Sequence, residues 1–137
     1  ILLAVAGLTR LGLADRITQK FDFDQMLPAP GQGALAIQVR KNDPLTVDVM
    51  KTLNLPNVAA ATEAERMFLD KMGGGCKPPA GAMAIMDGDN LLLKGYISDP
   101  DGKQCYEGEL VGPVSEATAL GITLAEKLIA QGASALI

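Results

Sequence analysis

Gly81–Met86 (GAMAIM), Leu91–Ser98 (LLLKGYIS) and Gln104–Val111 (QCYEGELV) are three apolar or alternating runs, separated by Asp87-Gly88-Asp89-Asn90 and Asp99-Pro100-Asp101-Gly102. The separators carry aspartate, asparagine, glycine and proline where tight turns need them, because short polar side chains bond their own backbone and glycine accepts positive φ. Three strands joined by two hairpin turns follow from this spacing. The four aspartates of the turns are explained by turn chemistry and need no metal.

Helical patterns flank the three runs. Upstream, Thr62-Glu63-Ala64-Glu65 has the form of a capping box, with Thr62 and Glu65 predicted to satisfy orphan amides at a helix start. That helix carries Ala64, Phe68 and Met72 on one face and stops at Gly73. Downstream, Ser115 is the predicted cap of a helix that stacks Leu120, Leu124 and Leu128 and closes at Gly132. The order is α-β-β-β-α. An α+β domain, with a three-stranded antiparallel sheet covered on one face by both helices, buries every stripe.

The first part of the chain reads differently. Leu3, Gly7, Leu8 and Leu11 predict a helix within residues 1–13, stopped at Gly12. Leu27-Pro28-Ala29-Pro30-Gly31-Gln32-Gly33 is a turn-rich crossing that no helix traverses. Ala34–Arg40 (ALAIQVR) reads as a buried strand, and Asp43-Pro44 opens a helix running to about Leu53. Pro56-Asn57 marks a predicted domain boundary. The chain begins on Ile, in mid-pattern, and reads as a piece of something longer.

The totals narrow the chemistry. The 137 residues are 48% hydrophobic and 20% charged, which describes a folded chain. Sixteen acids against 12 bases give a formal charge of −4, unfavourable for nucleic acid, whose binding needs surplus cations. Histidine is absent, which removes the commonest neutral-pH acid/base and metal ligand. Two cysteines make neither a zinc site nor a disulfide framework, and reduced thiols fit a cytoplasmic protein. The apolar run Ile1–Leu8 is far short of the roughly 20 residues of a membrane span.

Among residues able to do chemistry, Cys76 stands out. It follows Gly73-Gly74-Gly75 and precedes Lys77-Pro78-Pro79, so helix is excluded on both sides of an accessible thiol. A neighbouring lysine favours the thiolate, the nucleophilic form. Without histidine, a Cys-His mechanism is excluded within this chain. Arg10 interrupts an apolar helix between the small residues Gly7 and Ala14, where a guanidinium is free to pair with a carboxylate ligand. Gly31-Gln32-Gly33-Ala34-Leu35-Ala36 imitates a dinucleotide fingerprint, but it precedes a predicted strand where the fingerprint follows one. Small residues there suit close approach of backbone to a ligand. Cys105 alternates with Glu107 and Glu109 and shares their side of the sheet.

Ala6–Leu13 (AGLTRLGL), Leu27–Ala34 (LPAPGQGA), Ala64–Leu69 (AERMFL), Gly74-Gly75-Cys76 and Leu120–Ala125 (LGITLA) together resemble the porphobilinogen deaminase (hydroxymethylbilane synthase) family, in the family's order. The resemblance implies a three-domain transferase of heme and tetrapyrrole biosynthesis, whose first two domains form a cleft like that of periplasmic binding proteins. This chain resembles its carboxyl-terminal portion. Residues 1–27 correspond to the end of the second domain, 28–54 to the crossing and the return strand and helix of the first, and 55–137 to the third. The architecture implied is that α-β-β-β-α domain preceded by a partial α/β segment.

By the same resemblance, Cys76 holds a dipyrromethane cofactor as a thioether. Arg10 matches a carboxylate-binding arginine, and Gln32 and Gly33 match a cofactor-lining segment. Four porphobilinogen units add to this primer, each losing ammonia. Departures are Pro30, in place of a more usual aliphatic residue, and the stiff Lys77-Pro78-Pro79. The family's catalytic aspartate belongs to the first domain and has no counterpart here, so the chain alone is expected to be inactive. Its expected partners are the oligopyrrole carboxylates and the missing amino-terminal domains, with self-association where those are absent. Two readings compete: a double-stranded RNA-binding module, which shares the element order but would need a basic helix end, and a purely structural module.

Overall fold

The computed structural model describes residues 1–73 and 79–137. Seven main elements follow in chain order: α1 (Val5–Arg10), α2 (Pro44–Lys51), α3 (Pro56–Lys71), β1 (Ala80–Asp87), β2 (Asn90–Ser98), β3 (Cys105–Pro113) and α4 (Ala117–Ala130). Short 3₁₀ turns occupy Ala14–Arg16, Val114–Glu116 and Ala133–Leu136. No helix among the described residues is long and apolar enough to cross a membrane.

The three predicted strands form one antiparallel meander in the order β1-β2-β3. The register pairs Ala82 with Gly95 and Gly95 with Gly108, and it pairs Lys94 with both Met83 and Glu109. Alternation then divides the sheet. Ala82, Ala84, Leu91, Leu93 and Ile97 are buried beneath α3 and α4, whereas Lys94, Glu107 and Glu109 lie on the other face. Phe68 and Met72 from α3, with Leu124 and Leu128 from α4, complete the core. Two helices on one face of a three-stranded sheet is the architecture expected. Glycines make it tight: a Cβ at Gly95 would lie 2.7 Å from Phe68 Cε2 and 2.9 Å from Leu124 Cδ2. Gly121 brings α4 against the backbone of α3 at Ala64.

Several local expectations are corrected. Ala34–Arg40 forms no strand, and Leu35 and Ile37 are 93% and 57% exposed. An apolar run becomes a strand only where a neighbouring ladder takes up its amides and carbonyls, and the described residues offer it none. The amino-terminal helix covers only Val5–Arg10, released at Leu11 and turned by Gly12 with φ of 71°. Residues Thr62 and Glu65 are not the start of α3, which opens six residues earlier with Pro56 at its first position, where a missing amide costs nothing. Ser115 likewise makes no cap; a 3₁₀ turn leads into α4 instead. Asp43 does cap α2, accepting from Thr46 N at 3.2 Å and Thr46 Oγ1 at 2.7 Å.

Candidate functional site

The site grows from Ala29-Pro30-Gly31-Gln32-Gly33-Ala34. Gln32 N donates to Ala29 O at 3.0 Å and Ala34 N to Gly31 O at 3.2 Å, so two β-turns follow one another. Gly31 and Gly33 hold the third position of each, with φ of 75° and 86°. Glycine third is what a type II turn requires, and Pro30 adds the favoured proline at the second position of the first turn. Gln32 projects from between these two turns and is exposed.

Backbone and one acid seat this crossing on the outer edge of β1. Ala82 N donates to Pro28 O at 3.0 Å, and Gly81 has no room for a Cβ, which would lie 3.0 Å from Leu27 Cβ. Glu65, 6% exposed, accepts from Gly31 N through Oε2 at 2.7 Å and from Ala84 N through Oε1 at 2.8 Å. Hydrogen bonds to a charged group contribute about 1.5–3 kcal/mol each, so this one side chain outweighs most surface contacts of the crossing. A strut lies alongside: Lys94 reaches Asp24 directly and Glu109 at 3.9 Å. The hydrogen bond to Asp24 first, and then the charges of Asp24, Glu109 and Asp22, hold the Lys94 ammonium pKa above its ordinary value against the opposing effect of burial.

Two clefts adjoin along Phe23, Met26 and Ala29. The first, of about 830 Å³, lies over the open sheet face and is lined by Pro79, Tyr96, Lys94, Asp24, Glu107 and Glu109. The second, of about 1030 Å³, is walled by Leu2, Leu8, Phe21, Arg16 and Lys20, with Gln32 at its rim. A ligand rich in carboxylates fits the second, where two cations and an amide stand over apolar walls. It does not fit the first, whose acids would repel it and whose lysine is already engaged.

Of the residues singled out from the sequence, the structure brings Gln32 to the second cleft and uses Gly33 to make the turn beside it. Arg10 is exposed in the last turn of α1 and does not line that cleft; Arg16 and Lys20 do. Cys76 lies outside the described residues. Its flanks are described: Gly73, with φ of 92°, abuts the side chain of Ile137, and Pro79 O accepts from Ser98 N at 2.9 Å. Cys105 is exposed on the Glu107 and Glu109 side, as expected, and partial burial followed by the Glu107 charge pushes its thiol pKa up. Among the described residues no cluster of acids and thiols could hold a metal.

Sequence reasoning missed Glu65, Arg16, Lys20 and the Asp24–Lys94 pair. One signal for Glu65 was present: positions 65, 68 and 72 share a helical face, so an acid there had to be buried with Phe68 and Met72.

Residues 59–130, which contain the sheet, α4 and most of α3, match the family model for the porphobilinogen deaminase C-terminal domain. This chain belongs to the porphobilinogen deaminase family. Residues 1–48, which carry the crossing and the second cleft, match the porphobilinogen deaminase model described as the dipyromethane cofactor binding domain. Porphobilinogen deaminase from Trichlorobacter lovleyi is 41% identical over all 137 residues, which cover 44% of that protein. Porphobilinogen deaminase from Geobacter metallireducens is 42% identical over the same 137 residues, 43% of its length. The chain thus spans less than half the length of these relatives.

Proposed function

We propose that this chain is the carboxyl-terminal portion of an enzyme that polymerises four porphobilinogen units, with loss of ammonia, onto a cysteine-linked dipyrromethane primer. The observation that carries the proposal is the coincidence of the cofactor-domain match over residues 1–48 with the cleft where Gln32, Arg16 and Lys20 gather. In this reading residues 1–27 belong to a second domain, 28–54 to the return through a first, and 55–137 to the attachment domain.

Each group has its task. Cys76 Sγ tethers the cofactor through a thioether; a thiolate is a good nucleophile for a carbon electrophile, and the resulting bond does not turn over. When bound, the cofactor supplies the electron-rich terminal pyrrole to which units are added. Arg16 and Lys20 pair with its acetate and propionate groups, and Arg10 pairs with those of the growing chain. Gln32 hydrogen-bonds at the cleft rim, and the Gly31 and Gly33 turns let backbone approach. The proton-transfer acid comes from the missing first domain, so the chain alone does not catalyse.

Intact mass of the full-length enzyme tests the proposal. The expected result is a dipyrromethane adduct on one cysteine that vanishes in Cys76→Ser together with turnover. Retained turnover without an adduct in that variant would overturn it. Hydroxymethylbilane formed by the purified 137-residue chain would overturn the assignment of the acid to another domain.

A further inference from the structure

We propose that Glu65 is a positioning residue that locks the Gln32-bearing turn to α3 and β1, the elements that precede and follow Cys76 in sequence. The inference deepens the reading above and rests on it for its catalytic consequence, though not for its structural one. Glu65 sits on α3, the helix that precedes Cys76 in sequence. One of its oxygens takes the amide of Ala84, on β1, the strand that follows Cys76 in sequence, at 2.8 Å. The other takes the amide of Gly31, the residue before Gln32, at 2.7 Å. A single carboxylate therefore joins α3, β1 and the turn at the cleft rim.

The chemistry of the pairing explains why an acid is needed. Both partners are backbone donors, so both side-chain oxygens must accept. An amide offers one acceptor and one donor, and the donor would face an N–H. Gly31 N cannot readily turn elsewhere, because its residue is held at φ of 75° within two consecutive turns. Ala84 N points off the edge of β1, away from the ladder with β2, and among the described residues no other strand lies beside it. Movement of the turn thus requires breaking a bond to a residue that the sheet holds in place.

Amide hydrogen exchange on the chain tests the lock without reference to activity. Glu65→Gln is expected to speed exchange at Gly31 at least ten-fold while Leu93, in the central strand, stays unchanged. Unaltered Gly31 exchange would overturn the proposal, even if the variant melts earlier. Should Glu65→Gln fail to fold, Glu65→Asp keeps the charge on a shorter side chain and is expected to give the same selective loosening. In the full-length enzyme the expected result is a kcat at least ten-fold lower with KM little changed and the cofactor mass retained. An unchanged kcat beside a loosened Gly31 would remove the positioning role and leave the proposed activity standing.

Discussion

Asp43 shows how much one side chain can do at a half-buried position. It holds the first turn of α2 through both the amide and hydroxyl of Thr46, and those bonds, side chain first, hold its carboxyl below the ordinary 3.8. A depressed acid stabilises the fold fully above its unfolded pKa, and that contribution is lost as pH falls through the lower folded value. Acidification below about 3.8 is therefore expected to fray α2 first. The Thr46 amide chemical shift, followed by NMR from pH 5 to 2 (roughly the range in which carboxylates titrate), should move with the protonation of Asp43. A shift that is flat until global unfolding would contradict this. Glu65 teaches the complementary lesson. Its place in a Thr-x-x-Glu sequence suggested a helix start, while its chemistry is spent on two amides outside its own helix.

At the level of elements, α4 packs directly against the backbone of α3 at Gly121. A Cβ there would meet the carbonyl oxygen of Ala64 and stand 2.9 Å from Phe68 N, both backbone atoms that cannot swing aside. Gly121→Ala is expected to lower stability by about 3 kcal/mol through overpacking, read as a shift in the urea midpoint at constant m-value. A loss under 1 kcal/mol, roughly the noise of tolerated core swaps, would mean the helices separate easily. The elements most legible in the sequence were those whose partners are local. Strands β1 to β3 declared themselves through turn residues and alternation, and α3 and α4 through the 68/72 and 120/124/128 stripes. Ala34–Arg40 misled because its composition is that of a strand, whereas strand formation depends on a neighbour elsewhere. The cleft was legible only in part, since Gln32 and Gly33 announce a turn while Arg16 and Lys20 look like ordinary surface charge until folding sets them in one cleft with Phe21.

For the whole molecule, burial is uneven. The sheet domain hides most of its apolar residues, Val111 on β3 being an exception, whereas Leu3, Leu11, Leu35, Leu45, Val49 and Leu55 are 59%, 74%, 93%, 79%, 54% and 65% exposed. Apolar exposure on this scale is a docking surface or a liability. The purified chain is expected to self-associate at micromolar concentration, checked by light scattering coupled to size exclusion; a strictly monomeric chain would oppose it. The same geography bears on where the molecule can be divided. Composition suggests a cut near Pro56, but the edge of β1 is completed by Pro28 O, and half of the Glu65 carboxylate is occupied by Gly31. A protease or a cloning primer that severs the chain at residue 55 would therefore strip the outermost strand of a selvedge supplied from far upstream, leaving it open to foreign β-pairing.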